Sequence, residues 1–352
     1  MTATSTATVK IGSRIVGDGA RCFVIAEAGV NHNGDVALAE RLVDAAADAG
    51  ADCVKFQTFK PARLVSAHAE KASYQKETTG GGTQKEMLDK LALPDTAWPR
   101  LMRRAQARGI TFMSTPFDEE SADLLVRLGV PALKVGSGEL TNHLLLAHVA
   151  RAGIPVLLST GMADLAEVQA AVDVVRAAGA PVALFHCVSS YPARAQDANL
   201  AAMATMREAL GCPVGFSDHT LGVAVSTAAV ALGAELVEKH LTLDCNMEGP
   251  DHRASLEPTA MADLIQAVRA AEQARGDGIK RPRAAEEDVR RVARRSLFWA
   301  ADATAGTRVE VTFIEALRPA TGISPARWRD VVGRRLAREV RAGTPVALED
   351  LE

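Results

Sequence analysis

The feature that most restricts the fold of this chain is a repeated alternation. Short β-like runs, apolar at the start and polar at the end, are separated by Ala-rich segments with helical apolar spacing. The runs fall at 21–29, 53–59, 111–117, 132–138, 155–161, 182–188, 214–220 and 236–242. Between them lie amphipathic stretches such as VALAERLVDAAADAG (36–50) and DLAEVQAAVDVVRAAG (164–179). Eight β-α units in roughly 250 residues predict a closed (β/α)8 TIM barrel, an α/β fold. A doubly wound open sheet is the alternative. It would want a G-x-G-x-x-G loop after the first strand, and that loop is absent. Two connections are long, 60–93 and 243–257. Long βα loops at the C-terminal face of a barrel usually shape its site.

The barrel does not use all 352 residues. A helical pattern at 258–274 closes a first domain, 1–274. The polar stretch 275–293, with Gly and Pro, reads as a linker. Residues 294–352 then carry short β-like pieces between Gly and Pro. That is a small β-rich second domain, near the size at which an independent core is marginal. The formal charge of −3 gives no bulk attraction for nucleic acid. From Arg275 to Arg341, 16 Lys/Arg stand against 9 Asp/Glu, which reads as an Arg-rich solvated surface unless one of them serves a site. Five cysteines at wide spacings, with no C-x-x-C, fit reduced thiols. The first twenty residues have no apolar core and no run of ~18 apolar residues occurs, so a cytoplasmic protein with no membrane span is expected.

The last run, LVEKHLT (236–242), sets three ionisable residues in an apolar strand. Burying charge costs several kcal/mol unless it is paired or bound to a metal. Strand side chains alternate, so Glu238 and His240 share one face and Lys239 takes the other. Ser217 and His219 share a face in the run before, and neighbouring strands lie ~4.8 Å apart. His219 and His240 can therefore converge, with Glu238 beside them, as a divalent-metal site with open positions. Every other run also ends polar: Glu27; Lys55 and Gln57; Ser114 and Thr115; Lys134, Ser137 and Glu139; Ser159 and Thr160; His186, Ser189 and Tyr191. One Ser or Thr at a strand end is usually a helix cap. A polar band on all eight is the floor of a barrel active site. Lys55 and Lys134, with Ser137, Ser159 and Ser217 and the backbone of Gly136, Gly138 and Gly161, suggest a phosphate cradle. A Schiff-base lysine is the alternative.

IAEAGVNHNGD (25–35), VKFQTF (54–59), STPFDEES (114–121), KVGSGEL (134–140), LSTGM (158–162), HCVSSYP (186–192), GFSDHT (215–220), EKHLTLD (238–244) and GPDHRASLEP (249–258) resemble the sialic acid synthase family in order and spacing. The tail, with RPATGISP (318–325), is similar to that family's antifreeze-like SAF domain. The resemblance implies a metal-dependent condensation of phosphoenolpyruvate with an N-acetylmannosamine-type sugar, giving a nine-carbon 2-keto acid of N-acetylneuraminate type and phosphate. It implies Mn2+ or Mg2+ on His219 and His240, and phosphoenolpyruvate on Lys55, Thr115, Lys134, Ser137, Ser159 and Ser217. It implies the sugar on Glu27, Gln57, Tyr191 and Asp251, with Glu238 at the reacting centre. It further implies a domain-swapped homodimer whose SAF domain brings Arg318 to the partner's site.

Two departures stand out: Ser189 where the family often has Asn, and RPATGI where it has RPGNGI. The first removes an amide from the phosphoenolpyruvate end, and the second alters the loop that carries Arg318. The acceptors to distinguish are N-acetylmannosamine, its 6-phosphate and a 2,4-diacetamido-trideoxyhexose, the last giving legionaminic acid. Arg63, Lys71, Lys76 and Lys85 of 60–93 read as ordinary surface charge unless the acceptor is a sugar phosphate, which they would then serve. A sister synthase acting on phosphorylated sugars would lack the SAF tail. A barrel aldolase and a non-catalytic sugar-binding barrel complete the alternatives.

Overall fold

The computed structural model describes residues 8–352. Part of the N-terminal stretch judged above for a leader, residues 1–7, lies outside the described residues. The chain forms two compact units, one ending at Gly276 and one spanning Asp277–Glu352.

The first unit opens with a hairpin not foreseen in the sequence, β1 (Val9–Ile11) paired antiparallel with β2 (Arg14–Val16). Eight parallel strands follow: β3 (Phe23–Gly29), β4 (Cys53–Thr58), β5 (Thr111–Pro116), β6 (Leu133–Val135), β7 (Val156–Ser159), β8 (Val182–Cys187), β9 (Val214–Asp218) and β10 (Leu236–His240). They close in chain order, and β10 pairs with β3 at the seam. Each lies within an expected run, and the open-sheet alternative is excluded.

Alternation along these strands builds the interior in layers. Phe23, Ile25, Cys53, Met113, Leu157, Ala183, Phe185 and Leu236 form an apolar lower core, and Val9, Ile11 and Val16 of the hairpin pack into the same cluster. The hairpin thus plugs the N-terminal end of the barrel. The residues one step further along the same inward faces are Glu27, Lys55, Thr115, Lys134, Ser159, Ser217 and Glu238, all buried. The opposite parity, such as Val24, Val54, Phe56, Leu133 and Val237, packs with the surrounding helices in a separate outer core.

That outer parity corrects part of the expected polar band. His186 faces outward and its Nε2 hydrogen-bonds the Ala198 carbonyl at 2.8 Å. Ser114 meets Thr58 at 2.7 Å rather than the site. Lys239 also faces outward and is wholly buried. Its Nζ lies 2.9 Å from Asp218 Oδ2 and donates to the Thr220 carbonyl. Asp218 also accepts from Ser226 Oγ at 2.6 Å and from the Thr220 amide at 2.8 Å. The third charge in LVEKHLT is therefore a structural pair.

The 60–93 connection is not plain loop. It folds into three helices, Pro61–Leu64, Ser73–Thr79 and Gln84–Leu91. Met87, Leu88 and Leu91 pack on Val30 and Phe59. The helix expected at 258–274 spans Pro258–Arg275. Within 275–293 a short helix forms at Glu287–Ala293, with acidic residues in its first turn and basic ones in its last, as its dipole favours. In the second unit, β11 (Ser296–Trp299) pairs antiparallel with β12 (Ile314–Leu317). Leu297, Trp299, Val309, Val331, Leu336 and Val346 make its small core.

Candidate active site

The polar upper layer opens into a cavity of ≈ 500 Å³ at the C-terminal end of the strands. A larger cavity of ≈ 1060 Å³ lies at the opposite rim, around Arg207, Gly233 and Arg269. Two of its guanidinium groups are committed to the barrel wall: Arg269 to Asp52 and the Cys22 carbonyl, Arg207 to the Gly233 carbonyl. The polar cluster expected from the sequence lines the smaller one.

Glu238 is the hub. Its Oε1 lies 3.4 Å from Lys134 Nζ and accepts from Ser217 Oγ at 3.2 Å, while Oε2 is 3.8 Å from Lys55 Nζ. Lys55 is also 2.7 Å from Glu27 Oε2 and donates to Thr115 Oγ1 at 2.9 Å. Lys134 donates to Ser159 Oγ at 2.6 Å. Gln57 Nε2 donates to Glu27 Oε1 at 3.2 Å. The sheet register explains the meeting, because Glu238 is opposite Ser217, Glu27 is opposite Lys55, and Gln57 is opposite Thr115.

The two carboxyls are driven apart. Burial pushes Glu27 up to about 7; Lys55 opposes the rise and the charge on Glu238 adds to it. Burial would raise Glu238 too, but the ammonium groups of Lys134 and Lys55 outweigh it and hold that carboxyl at about 2. Glu238 is thus the fixed negative charge of the site. Burial lowers Lys134, against the pull of Glu238. Burial also works against the charge on Lys55, yet Glu238 and Glu27 raise its pKa overall.

Beside this cluster the Gly161 amide donates to Ser137 Oγ at 3.0 Å. A Cβ on Gly161 would run into Ser189 Oγ, with Ser137 Oγ at 2.9 Å and Cys187 Sγ at 3.1 Å. Ser137, Ser189 and Gly161 therefore crowd together on one wall. Cys187, whose Sγ lies 3.1 Å from Ser137 Oγ, belongs to that wall and was missed. It is two residues beyond the inward-facing Phe185, so the alternation of β8 would have found it.

His219 and His240 meet with ring centroids 5.5 Å apart. His219 Nδ1 hydrogen-bonds the Val188 carbonyl at 2.7 Å, which leaves Nε2 as the lone-pair nitrogen. His240 Nδ1 is buried without a partner, and Asp251 Oδ2 lies 3.9 Å from it. Burial lowers both imidazoles, so both are neutral near pH 7. Neutral, oriented imidazoles fit a divalent cation. Among the described residues, no group of three or more His, Cys, Asp and Glu is arranged to hold a metal. The pair would leave most coordination positions open. The Tyr191 ring lies tilted against His219 with centroids 4.2 Å apart, and Asp251, pushed up to about 6 by burial, closes that side.

Of the residues that the resemblance assigns to the metal, phosphoenolpyruvate, the sugar and the reacting centre, all but Arg318 line this cavity. Arg318 is exposed just beyond β12, in the second unit. Tyr74 and Gln75 of the 60–93 connection line the cavity and were not foreseen as site residues.

A closed (β/α)8 barrel with a basic, hydroxyl-lined mouth and a neutral imidazole pair defines a barrel enzyme built around an anionic substrate. The family model described as the NeuB family matches residues 42–280, and that of the SAF domain matches residues 294–352. The chain belongs to the NeuB family and carries a C-terminal SAF domain. It is 46% identical over 342 residues, 96% of either chain, to the N,N'-diacetyllegionaminic acid synthase of Legionella pneumophila. It is 44% identical to the enzyme of the same name from Campylobacter jejuni, over 89% of this chain and 95% of that one. Among solved structures, the N-acetylneuraminic acid synthetase of Leptospira borgpetersenii superposes with a TM-score of 0.72 at 34% identity, covering 81% of this chain and 95% of that one.

Proposed function

We propose that this protein condenses phosphoenolpyruvate with the open-chain form of an acetamido-hexose, releasing phosphate and a nine-carbon 2-keto acid. The observation that carries the reading is Glu238, ionised between two buried lysines and beside the His219–His240 pair. Lys55, Lys134 and the hydroxyls of Thr115, Ser137, Ser159 and Ser217 bind the anionic groups of phosphoenolpyruvate. Glu27, Gln57, Tyr191 and Asp251 orient the acceptor. A Mn2+ or Mg2+ ion on His219 and His240 would supply Lewis acidity at the acceptor's aldehyde oxygen. C3 of phosphoenolpyruvate bonds to C1 of the aldehyde, whose oxygen takes a proton. Glu238 stabilises the positive charge this leaves at C2 and directs water onto that carbon. The tetrahedral adduct then loses phosphate as its C2 hydroxyl becomes the ketone. The lysines hold the leaving phosphate.

The two legionaminic acid synthases, at 46% and 44% identity, support 2,4-diacetamido-2,4,6-trideoxymannose over N-acetylmannosamine as the acceptor. A cytoplasmic homodimer, with Arg318 completing a partner's site, is part of this proposal. The test is phosphate release from phosphoenolpyruvate with Mn2+ and, in parallel, the diacetamido sugar, N-acetylmannosamine and its 6-phosphate. Release with the diacetamido sugar, abolished by EDTA, is expected. EDTA-insensitive release would remove the metal from the proposal, and no release with any acceptor would end it.

A further inference from the structure

Among the described residues, one buried lysine has no carboxylate partner. Lys71 is 6% exposed, and its Nζ donates to the carbonyls of Gly81 at 2.8 Å and Gly80 at 3.1 Å and to Thr79 Oγ1 at 2.9 Å. The Thr79 carbonyl lies at 3.4 Å. These are the last groups of the helix Ser73–Thr79 and the turn after it, where a positive charge meets the negative end of the helix. Glycine alone commonly ends a helix, and three stand here in a row, with Gly80 and Gly82 at positive φ. A buried ammonium is a costly addition to a turn that glycine already satisfies. It ties Lys71 to the C-terminal end of that helix.

The helix carries Tyr74 and Gln75 into the wall of the active-site cavity. The Tyr74 ring stacks on Tyr191 with centroids 5.2 Å apart, and Tyr191 packs in turn, tilted, against His219. Gln75 Nε2 donates to Tyr74 Oη at 3.3 Å, and Gln75 Oε1 accepts from the Ala72 amide at 3.0 Å. The surrounding wall is aliphatic, from Val65, Met87 and Leu88. No free cation reaches it from this connection. Lys60 pairs with Asp95, Arg63 with Glu119, Lys76 with Glu70 and Lys85 with Asp89. Lys90 lines a different cavity. A phenol, an amide and methyl groups suit acetamido and deoxy substituents, whereas a sugar phosphate would need a cation here.

We propose that Tyr74 is a specificity-determining residue that contacts the acceptor and favours an uncharged acetamido sugar, and that Lys71 is the positioning residue that holds it in place. The proposal rests on the synthase reading above. The chain has only two tyrosines, and they are the stacked pair. Full-length protein labelled with 3-fluorotyrosine therefore gives two fluorine signals, which Tyr74→Phe assigns. The probes are the alditols of N-acetylmannosamine and of the diacetamido sugar, which lack the aldehyde and cannot react, and the 6-phosphate of the first.

With phosphoenolpyruvate present, an uncharged alditol moves the Tyr74 signal saturably. Phosphoenolpyruvate alone leaves that signal in place, and the 6-phosphate needs concentrations at least about tenfold higher. In kinetics, Tyr74→Ala and Lys71→Met raise the acceptor KM roughly tenfold and leave the phosphoenolpyruvate KM within about twofold, while Lys71→Arg recovers most of the loss. A wild-type enzyme that turns over while an alditol moves Tyr191 but not Tyr74 overturns this inference alone. So do variants that raise both KM values together. A wild-type protein with no turnover, and neither signal moved by any probe, overturns the synthase reading and this inference with it.

Discussion

Single positions on the inward strand faces carry the proposed chemistry. Glu238 touches both lysines and Ser217, so Glu238→Gln removes the charge while keeping the shape. Turnover should fall by about a hundredfold or more, with phosphoenolpyruvate affinity within roughly threefold, as calorimetry and phosphate release would report. Near-normal turnover would take Glu238 out of the mechanism. Gly161→Ala tests the cradle from the other side. The added Cβ collides with Ser189 and crowds Ser137, so the phosphoenolpyruvate KM should rise severalfold with the acceptor KM unchanged. An unaltered phosphoenolpyruvate KM would place that substrate elsewhere. These residues were legible because alternation is a strict rule: Lys55 and Gln57, Ser217 and His219, and Glu238 and His240 all fall on one parity. His186 was misread because its position at a polar strand end was weighed without its parity. Tyr74 was not legible, since its role comes from a stack with a residue 117 positions away.

At the level of elements, β9 and β10 are joined on their outer side by the Lys239–Asp218 pair, with both side chains fully buried. Lys239→Met leaves a carboxylate uncompensated between the barrel and the helix Ala224–Ala231, where Ser226 already binds it. Removing one partner of such a pair costs about 3–5 kcal/mol. Urea unfolding should show that loss, and a cost below about 1 kcal/mol would mean the pair is dispensable. The eight barrel strands were readable from apolar runs at regular spacing. The hairpin β1–β2 was not, because three-residue strands carry too little pattern. The helices of 60–93 were hidden for a similar reason. They are four to eight residues long, too short to be stable alone, and Leu64 of the first and Met87, Leu88 and Leu91 of the last pack with Phe59 and Val30.

At the scale of the whole molecule, the second unit has a small core of its own, tied by one buried carboxylate. Asp350 accepts from Trp299 Nε1 at 3.1 Å, the Ala347 amide at 3.0 Å and Arg338 Nε at 2.7 Å. Burial would raise its pKa, but these donors outweigh it and hold it below the usual value. A depressed carboxyl stabilises fully above its unfolded pKa of about 3.9 and loses that contribution as pH falls through the lower folded value. Tryptophan-monitored urea unfolding should find wild type more stable than Asp350→Asn near neutrality, with the gap closing below about pH 4. A gap independent of pH would show that the charge is irrelevant. The seam of the barrel carries a different consequence. Strand β3 bonds to β10, so Glu27 and Lys55 acquire Glu238 as a neighbour only when the chain has reached His240. At ~5–20 residues per second, a ribosome needs roughly ten to forty seconds to cover that interval. Until the last strand emerges, the first ones present an unpaired edge to whatever else is in the cell.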